Sequence, residues 1–134
     1  MMKIFYSLKL MMVILMLGPG FCRMPAQEPL IRLSTTELFL GRGKATETLT
    51  DSLTIYNDGD ADLHIRSLFT GCRCTSASYP HSTISPGDSM VVKLRYHDSK
   101  QPPGRFRKLL RIRSNCNNPT TRFFITGVIL PDRD

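Results

Sequence analysis

Side chains able to do chemistry are few in this sequence. Four cysteines stand at Cys22, Cys72, Cys74 and Cys116. Cys72-Arg73-Cys74 puts two thiols one residue apart with a guanidinium between them, and that charge favours thiolate over thiol. Two functional readings follow. The pair is a redox couple, or it holds a soft metal such as copper(I) or zinc. A zinc site wants four ligands, and no spacing brings His81 or His97 to the pair. The structural reading is a structural thiol pair or a local disulfide at a strand end. Alternate Cα atoms of an extended strand lie about 6.6 Å apart, near the upper limit for a bridge, so a Cys72–Cys74 bond needs a bent backbone. Gly71 before the pair permits that bend. The structural reading is the one expected, with the redox or metal-handling domain as the alternative. A bridge from Cys116 is not expected, because about seven residues of strand, roughly 23 Å, separate it from the pair.

A second feature is a ladder of arginines at alternate positions, Arg105, Arg107, Arg111 and Arg113. An alternating run of guanidiniums makes an anion-binding face for a lipid headgroup, a polysaccharide or an acidic protein. It also serves as a solvated, charge-guarded sheet face. The second role is the plainer one, and Arg66 and His64 extend the patch if their strand lies alongside. Nothing else assembles into a catalytic group. His64, His81 and His97 fall singly, and neither a Gly-x-Ser-x-Gly elbow nor a His-Glu-x-x-His helix is present. Asp58, Asp60 and Asp62 alternate as in a calcium loop but lack its later Gly and Glu, so they read as turn formers. No cofactor is expected, and the chain is not expected to be an enzyme.

The elements that position these residues are short alternating runs. Leu38 to Leu40 is stopped by Gly41 and Gly43. Leu49, Leu53 and Ile55 alternate with Thr50, Ser52 and Thr54. Asn57-Asp58-Gly59-Asp60 has the composition of a positive-φ hairpin turn. Leu63, Ile65 and Phe69 then share a face. Ser85-Pro86-Gly87-Asp88 turns the chain into Met90, Val92, Leu94 and Tyr96. After Pro102-Pro103-Gly104, Phe106, Leu110 and Ile112 point inward against the arginines. Asn115 to Pro119 loops to Phe123, Ile125 and Ile129. About seven strands at this spacing, each with one apolar and one polar side, predict an all-β, immunoglobulin-like antiparallel sandwich.

That sandwich occupies residues 27–134. Before it, Lys3 and Lys9 precede the wholly apolar Leu10 to Leu17, which Gly18, Pro19 and Gly20 break. Such a segment is a secretory signal, and it is too short for the roughly 20 apolar residues of a membrane span. It ends at Ala26, or before Cys22 if that cysteine is lipidated; Phe21 ahead of it is bulkier than a lipidation site prefers. The expected location is therefore the periplasm or cell envelope, with membrane contact only through the signal or a lipid anchor. The formal net charge is +7. Without Lys3, Lys9 and Arg23, 15 basic residues face 11 acidic ones from Gln27 onward. That modest surplus suits an anionic surface or another envelope protein, and export removes nucleic acid from the expected partners.

Several pieces recur in order: Leu53-x-Ile55-x-Asn57-x-Gly59-x-x-x-Leu63-x-Ile65, Gly71-Cys72-Arg73-Cys74-Thr75, Ile84-x-Pro86-Gly87-Asp88, Gly104-x-Phe106, Ser114-Asn115 and Ile125-x-Gly127. Together they are similar to the bacterial domain-of-unknown-function family 1573, an immunoglobulin-like group related to the ASH/Hydin and major-sperm-protein sandwiches. The resemblance runs from about Leu38 to Ile129. It implies a sandwich fold and export to the envelope, commonly as a lipoprotein, and no established activity. Arg73 stands where that family usually has glycine, and Cys116 where it more often has an acidic or small residue. The function expected is a non-catalytic envelope module that binds a partner through a sheet edge or a loop end.

Overall fold

The computed structural model describes residues 26–132; Cys22 and all but the last residue of the expected signal segment lie outside them. Eight strands form two packed sheets: β1 (Ile31–Leu33), β2 (Glu37–Lys44), β3 (Leu49–Asn57), β4 (Ile65–Phe69), β5 (Thr75–Ser78), β6 (Ser89–Tyr96), β7 (Gly104–Ser114) and β8 (Thr120–Leu130). Sheet A has the order β1-β3-β6-β5 and sheet B the order β2-β8-β7-β4. The described residues contain no helix, and so none long and apolar enough to cross a membrane.

Strand alternation decides which side chains go inward. Leu53, Ile55, Leu63, Leu94, Leu110, Ile112 and Phe123 are buried between the sheets, with Met90, Val92, Tyr96, Phe106, Ile125 and Ile129. Tyr96 of sheet A stacks on Phe106 of sheet B, with ring centroids 4.1 Å apart. Gly127 makes room for that ring, since a Cβ there would lie 2.5 Å from Phe106.

Four local readings of the sequence need correction. The first concerns Asn57 to Asp60. It is not a hairpin turn, because β3 belongs to sheet A and β4 to sheet B. None of these residues has positive φ. The polar side chains instead tie a crossover to its surroundings. Asn57 is fully buried; its Nδ2 donates to the carbonyls of Ala61 (2.7 Å) and Ile84 (2.9 Å), and its Oδ1 accepts from the amides of Gly59 (3.0 Å) and Leu30 (3.3 Å).

The second is Phe69, which is exposed rather than on the inner face. A register shift between Ile65 and Ser67 changes the alternation, so Leu68 pairs with Ile112 and packs on the core while Phe69 points outward. Third, β2 does not stop at Gly41; it passes through a bulge, with Gly41 at φ 113°, and continues to Lys44. Fourth, β2 pairs with β8 in parallel, while every other strand pair is antiparallel. The N-terminal stretch changes sheets between Leu33 and Glu37, so β1 joins sheet A and β2 joins sheet B. The turn at Ser85–Asp88 is as read: the Asp88 amide donates to the Ser85 carbonyl at 2.9 Å, and Gly87 has φ 81°, the geometry a Pro-Gly pair favours.

Candidate functional site

Cys72 and Cys74 are joined in a disulfide with Cα atoms 5.3 Å apart. They lie in a bend between β4 and β5 rather than in extended strand. Gly71, at φ 76°, opens that bend. Cys74 packs partly on the core, and its carbonyl accepts the His97 amide at 2.8 Å. His97 thus sits beside the pair, which its place in the sequence did not reveal. Its Nδ1 lies 3.3 Å from the Glu47 carbonyl and 3.5 Å from Thr48 Oγ1. Among the described residues no three His, Cys, Asp or Glu side chains gather as a metal site, and Cys116 is a free, half-buried thiol. Cys116 follows β7 beside the start of β4, while the Cys72–Cys74 bend follows the end of β4. The length of β4 therefore separates them.

Other polar side chains hold loops. Asp58 pairs with Arg32, and Asp60 Oδ1 accepts the Glu28 amide at 2.7 Å. Asn115 clamps the segment entering β4: its Oδ1 accepts the His64 amide at 2.8 Å, and its Nδ2 donates to the Asp62 carbonyl at 3.0 Å. The Ser114-Asn115 motif therefore has a structural use. His64 Nδ1 lies 3.2 Å from Thr83 Oγ1.

The four ladder arginines all face outward from sheet B. Register adds two that the sequence reading passed over. Arg122 of β8 stands opposite Arg111, and Arg42 of β2 reaches the same face beside Val128, itself opposite Arg105. The signal for Arg122 was its alternation with Phe123 and Ile125, legible only once β8 was known to lie against β7. Among the described strand residues, six arginines share this face with a single carboxylate, Glu37 of β2. The outer face of sheet A differs: Thr50, Ser52, Thr54, Ser76, Ser78 and Ser89 dominate it, with Lys93 and Arg95.

Arg107 is occupied within the protein. Its Nη2 lies 3.5 Å from Glu37, and its guanidinium sits 3.7 Å over the Phe124 ring. Arg111, Arg113 and Arg122 make no ion pair among the described residues. With Ser67, Thr120 and the exposed Phe69 they line a shallow groove of about 530 Å³. As anticipated for Arg66 and His64, β4 does lie beside β7; Arg66 falls at the β4 bulge, and both residues are exposed.

Sheet A carries the other candidate. β5 covers β6 only from Lys93 to Tyr96. Pro80, with no N–H and a fixed φ, prevents β5 from running much beyond Ser78. Among the described residues, Ser89 to Val92 therefore have β3 on one side and no strand on the other. The His97 amide donates toward the β5 side, to Cys74. In an antiparallel ladder the direction alternates, so Arg95, Lys93, Val91 and Ser89 present their backbone groups to that side. Those of Arg95 and Lys93 meet Ser76 and Ser78. Those of Val91 and Ser89 open into a groove of about 740 Å³ walled by Tyr79, Pro80, Thr83 and Ile84.

Two four-stranded sheets in this arrangement define an immunoglobulin-like β-sandwich. The chain belongs to the family described as "Protein of unknown function (DUF1573)", matched over residues 31–129. No curated protein sequence matches it. Among solved structures, it is similar to a protein of unknown function from Porphyromonas gingivalis W83, with TM-score 0.65 and 21% identity over 82% of this chain and 51% of that one. It thus spans about half the length of that relative. It is also similar to the ASH/PapD-like domain 7 of human CEP192, with TM-score 0.62 and 11% identity, covering 87% of this chain and 97% of that one. The CupB2 chaperone of Pseudomonas aeruginosa gives TM-score 0.55 and 15% identity over 73% of this chain and 55% of that one. At these identities the likeness is one of fold.

Proposed function

We propose that this protein is an exported, non-catalytic module of the cell envelope that binds another envelope protein by accepting an extended segment of it as an added strand. The observation that carries this is the uncovered half of β6. Val91 and Ser89 direct backbone donors and acceptors into a groove where the sheet has room for one more strand. Main-chain pairing at a sheet edge supplies affinity, and pockets for alternate side chains supply selectivity. Four residues of β6, roughly 13 Å at the strand rise, set the length of the added strand. The exposed Val91 offers an apolar contact on the sheet's outer face.

A non-catalytic role is supported by the work the chemistry-bearing side chains already do. His64, His97, Asp58, Asp60 and Asn115 hold loops, and the Cys72–Cys74 disulfide closes a bend. The apolar segment at Leu10 to Leu17 supports export.

Peptide binding tests the reading. Extended peptides selected for affinity to the protein are resynthesised with N-methyl groups placed one residue at a time. Strand addition predicts that N-methylation at alternate positions abolishes binding while intervening positions tolerate it. Uniform tolerance, or competition that is insensitive to substitution of Tyr79 and Val91, contradicts it.

A further inference from the structure

The arginines of sheet B are not equivalent, and the difference points to a ligand. Arg107 has a carboxylate at 3.5 Å and an aromatic face at 3.7 Å. Arg111 and Arg122 stand directly opposite each other on β7 and β8, with no carboxylate among the described residues paired to either. Arg113 follows two residues along β7, beside Ser67 on β4 and Thr120 on β8. Like charges placed directly across a ladder destabilise a sheet. A face kept merely soluble would be served by one cation at that step, with a neutral or acidic residue opposite. The uncompensated pair is a local conflict that a bound anion would relieve.

The chemistry of the groove narrows the anion. A carboxylate is planar, with two oxygens and one charge, and one bidentate guanidinium balances that charge and occupies both inner lone pairs. A phosphomonoester carries about −1.5 to −2 charges at pH 7 and three strong acceptor oxygens, enough to engage guanidiniums from both strands. Phe69 forms the apolar wall beside Arg111, its register partner, with 59% of its surface exposed. Ser67 and Thr120 add hydroxyl groups to the lining. An apolar ring with hydroxyls beside a cationic pair suits a sugar carrying a phosphate.

We propose that Arg111, Arg113 and Arg122 form an oxyanion site for the phosphomonoester of a phosphorylated saccharide, with Phe69 against the sugar ring. The site lies on sheet B, whereas the strand-addition edge lies on sheet A. Either one stands if the other falls.

The test uses the protein with glucose 6-phosphate, inorganic phosphate and glucuronate as probes at low salt, followed through the arginine Nε–H signals and by calorimetry. Glucose 6-phosphate should shift the Arg111 and Arg122 signals and bind at least about tenfold more tightly than glucuronate. Arg111→Gln or Arg122→Gln should weaken that binding by about tenfold or more, while Arg107→Gln stays within about twofold. Phe69→Ala should reduce glucose 6-phosphate to the affinity of inorganic phosphate. A fold-level control is built in: Arg122→Thr should raise the melting temperature at low salt and lose that gain at high salt, as relief of repulsion requires. Equal weakening by Arg107→Gln and Arg122→Gln would overturn the proposal in favour of diffuse charge attraction. Glucuronate binding as well as glucose 6-phosphate would also overturn it. So would binding confined to vesicles containing phosphatidate that glucose 6-phosphate does not displace.

Discussion

Replacement of Asn57 by Ala should be among the most damaging polar substitutions in the domain. Asn57 is completely buried at the end of β3, and all its hydrogen-bonding capacity is used by backbone groups of three different segments. The bond to the Ile84 carbonyl is fully buried, but that oxygen keeps the Leu63 amide at 2.9 Å, so its loss costs about 0.5–1.5 kcal/mol. The bonds to Ala61, Gly59 and Leu30 are partly buried and contribute about 0.5–1.5 kcal/mol each, since water replaces part of what is lost. These partners converge on one side chain and do not add fully, which puts Asn57→Ala at about 2–4 kcal/mol. Small domains have about 5–15 kcal/mol of stability in all. The sequence has no tryptophan, so urea unfolding is followed by tyrosine fluorescence and far-ultraviolet circular dichroism. Ile84 walls the groove beside β6, so the variant should also weaken peptide binding before it unfolds. A loss under about 1 kcal/mol would refute the reasoning, because it would mean that those backbone groups find water or other partners at no cost.

Other outcomes are expected on the same grounds. Gly127→Ala forces a Cβ to within 2.5 Å of the Phe106 ring and 3.2 Å of the Gly41 carbonyl; overpacking of this kind costs about 1–3 kcal/mol by urea titration. Burial first, and then the charge of Asp98, raise the Tyr96 phenol above its ordinary value of 10.0. The neutral phenol is thus favoured in the fold. Its contribution is fully present below the unfolded-state pKa and is lost as pH rises from there through the folded-state pKa, and Tyr96→Phe should flatten that alkaline fall. With Cys72 and Cys74 bonded and Cys116 free, the chain from Ala26 onward should show one thiol when unfolded without reductant and three after reduction, by thiol-reactive dye.

The alternation of apolar residues in β3, β6, β7 and β8 was legible because each is long and solvated on one side. From Met90 to Tyr96, for instance, every second residue is buried. β1 escaped because three residues cannot display a period, and its membership of sheet A depends on the distant β3. The Asn57 crossover misled because Asn-Asp-Gly composition signals a tight turn whether the next strand returns to the same sheet or leaves it. Phe69 misled because a bulge changes every later residue's side without leaving a mark in the sequence. Of the candidate sites, the ladder arginines were readable as a file along one strand. Their sorting into occupied and unpaired members was not, because Glu37, Phe124 and Arg122 arrive from other strands. The open edge of β6 was unreadable for the same reason: it depends on where β5 ends relative to its partner.

Amide hydrogen exchange along β6 tests the strand-addition account most directly. In the free protein the Val91 amide should exchange rapidly, while Val92, turned toward β3, and Lys93, paired with Ser78, are protected. Addition of a bound extended peptide should slow Val91 to the level of Lys93 and leave Val92 unchanged. If Val91 is already as protected as Lys93 in the free protein, or stays fast in the complex, the open edge of β6 is not where the partner binds.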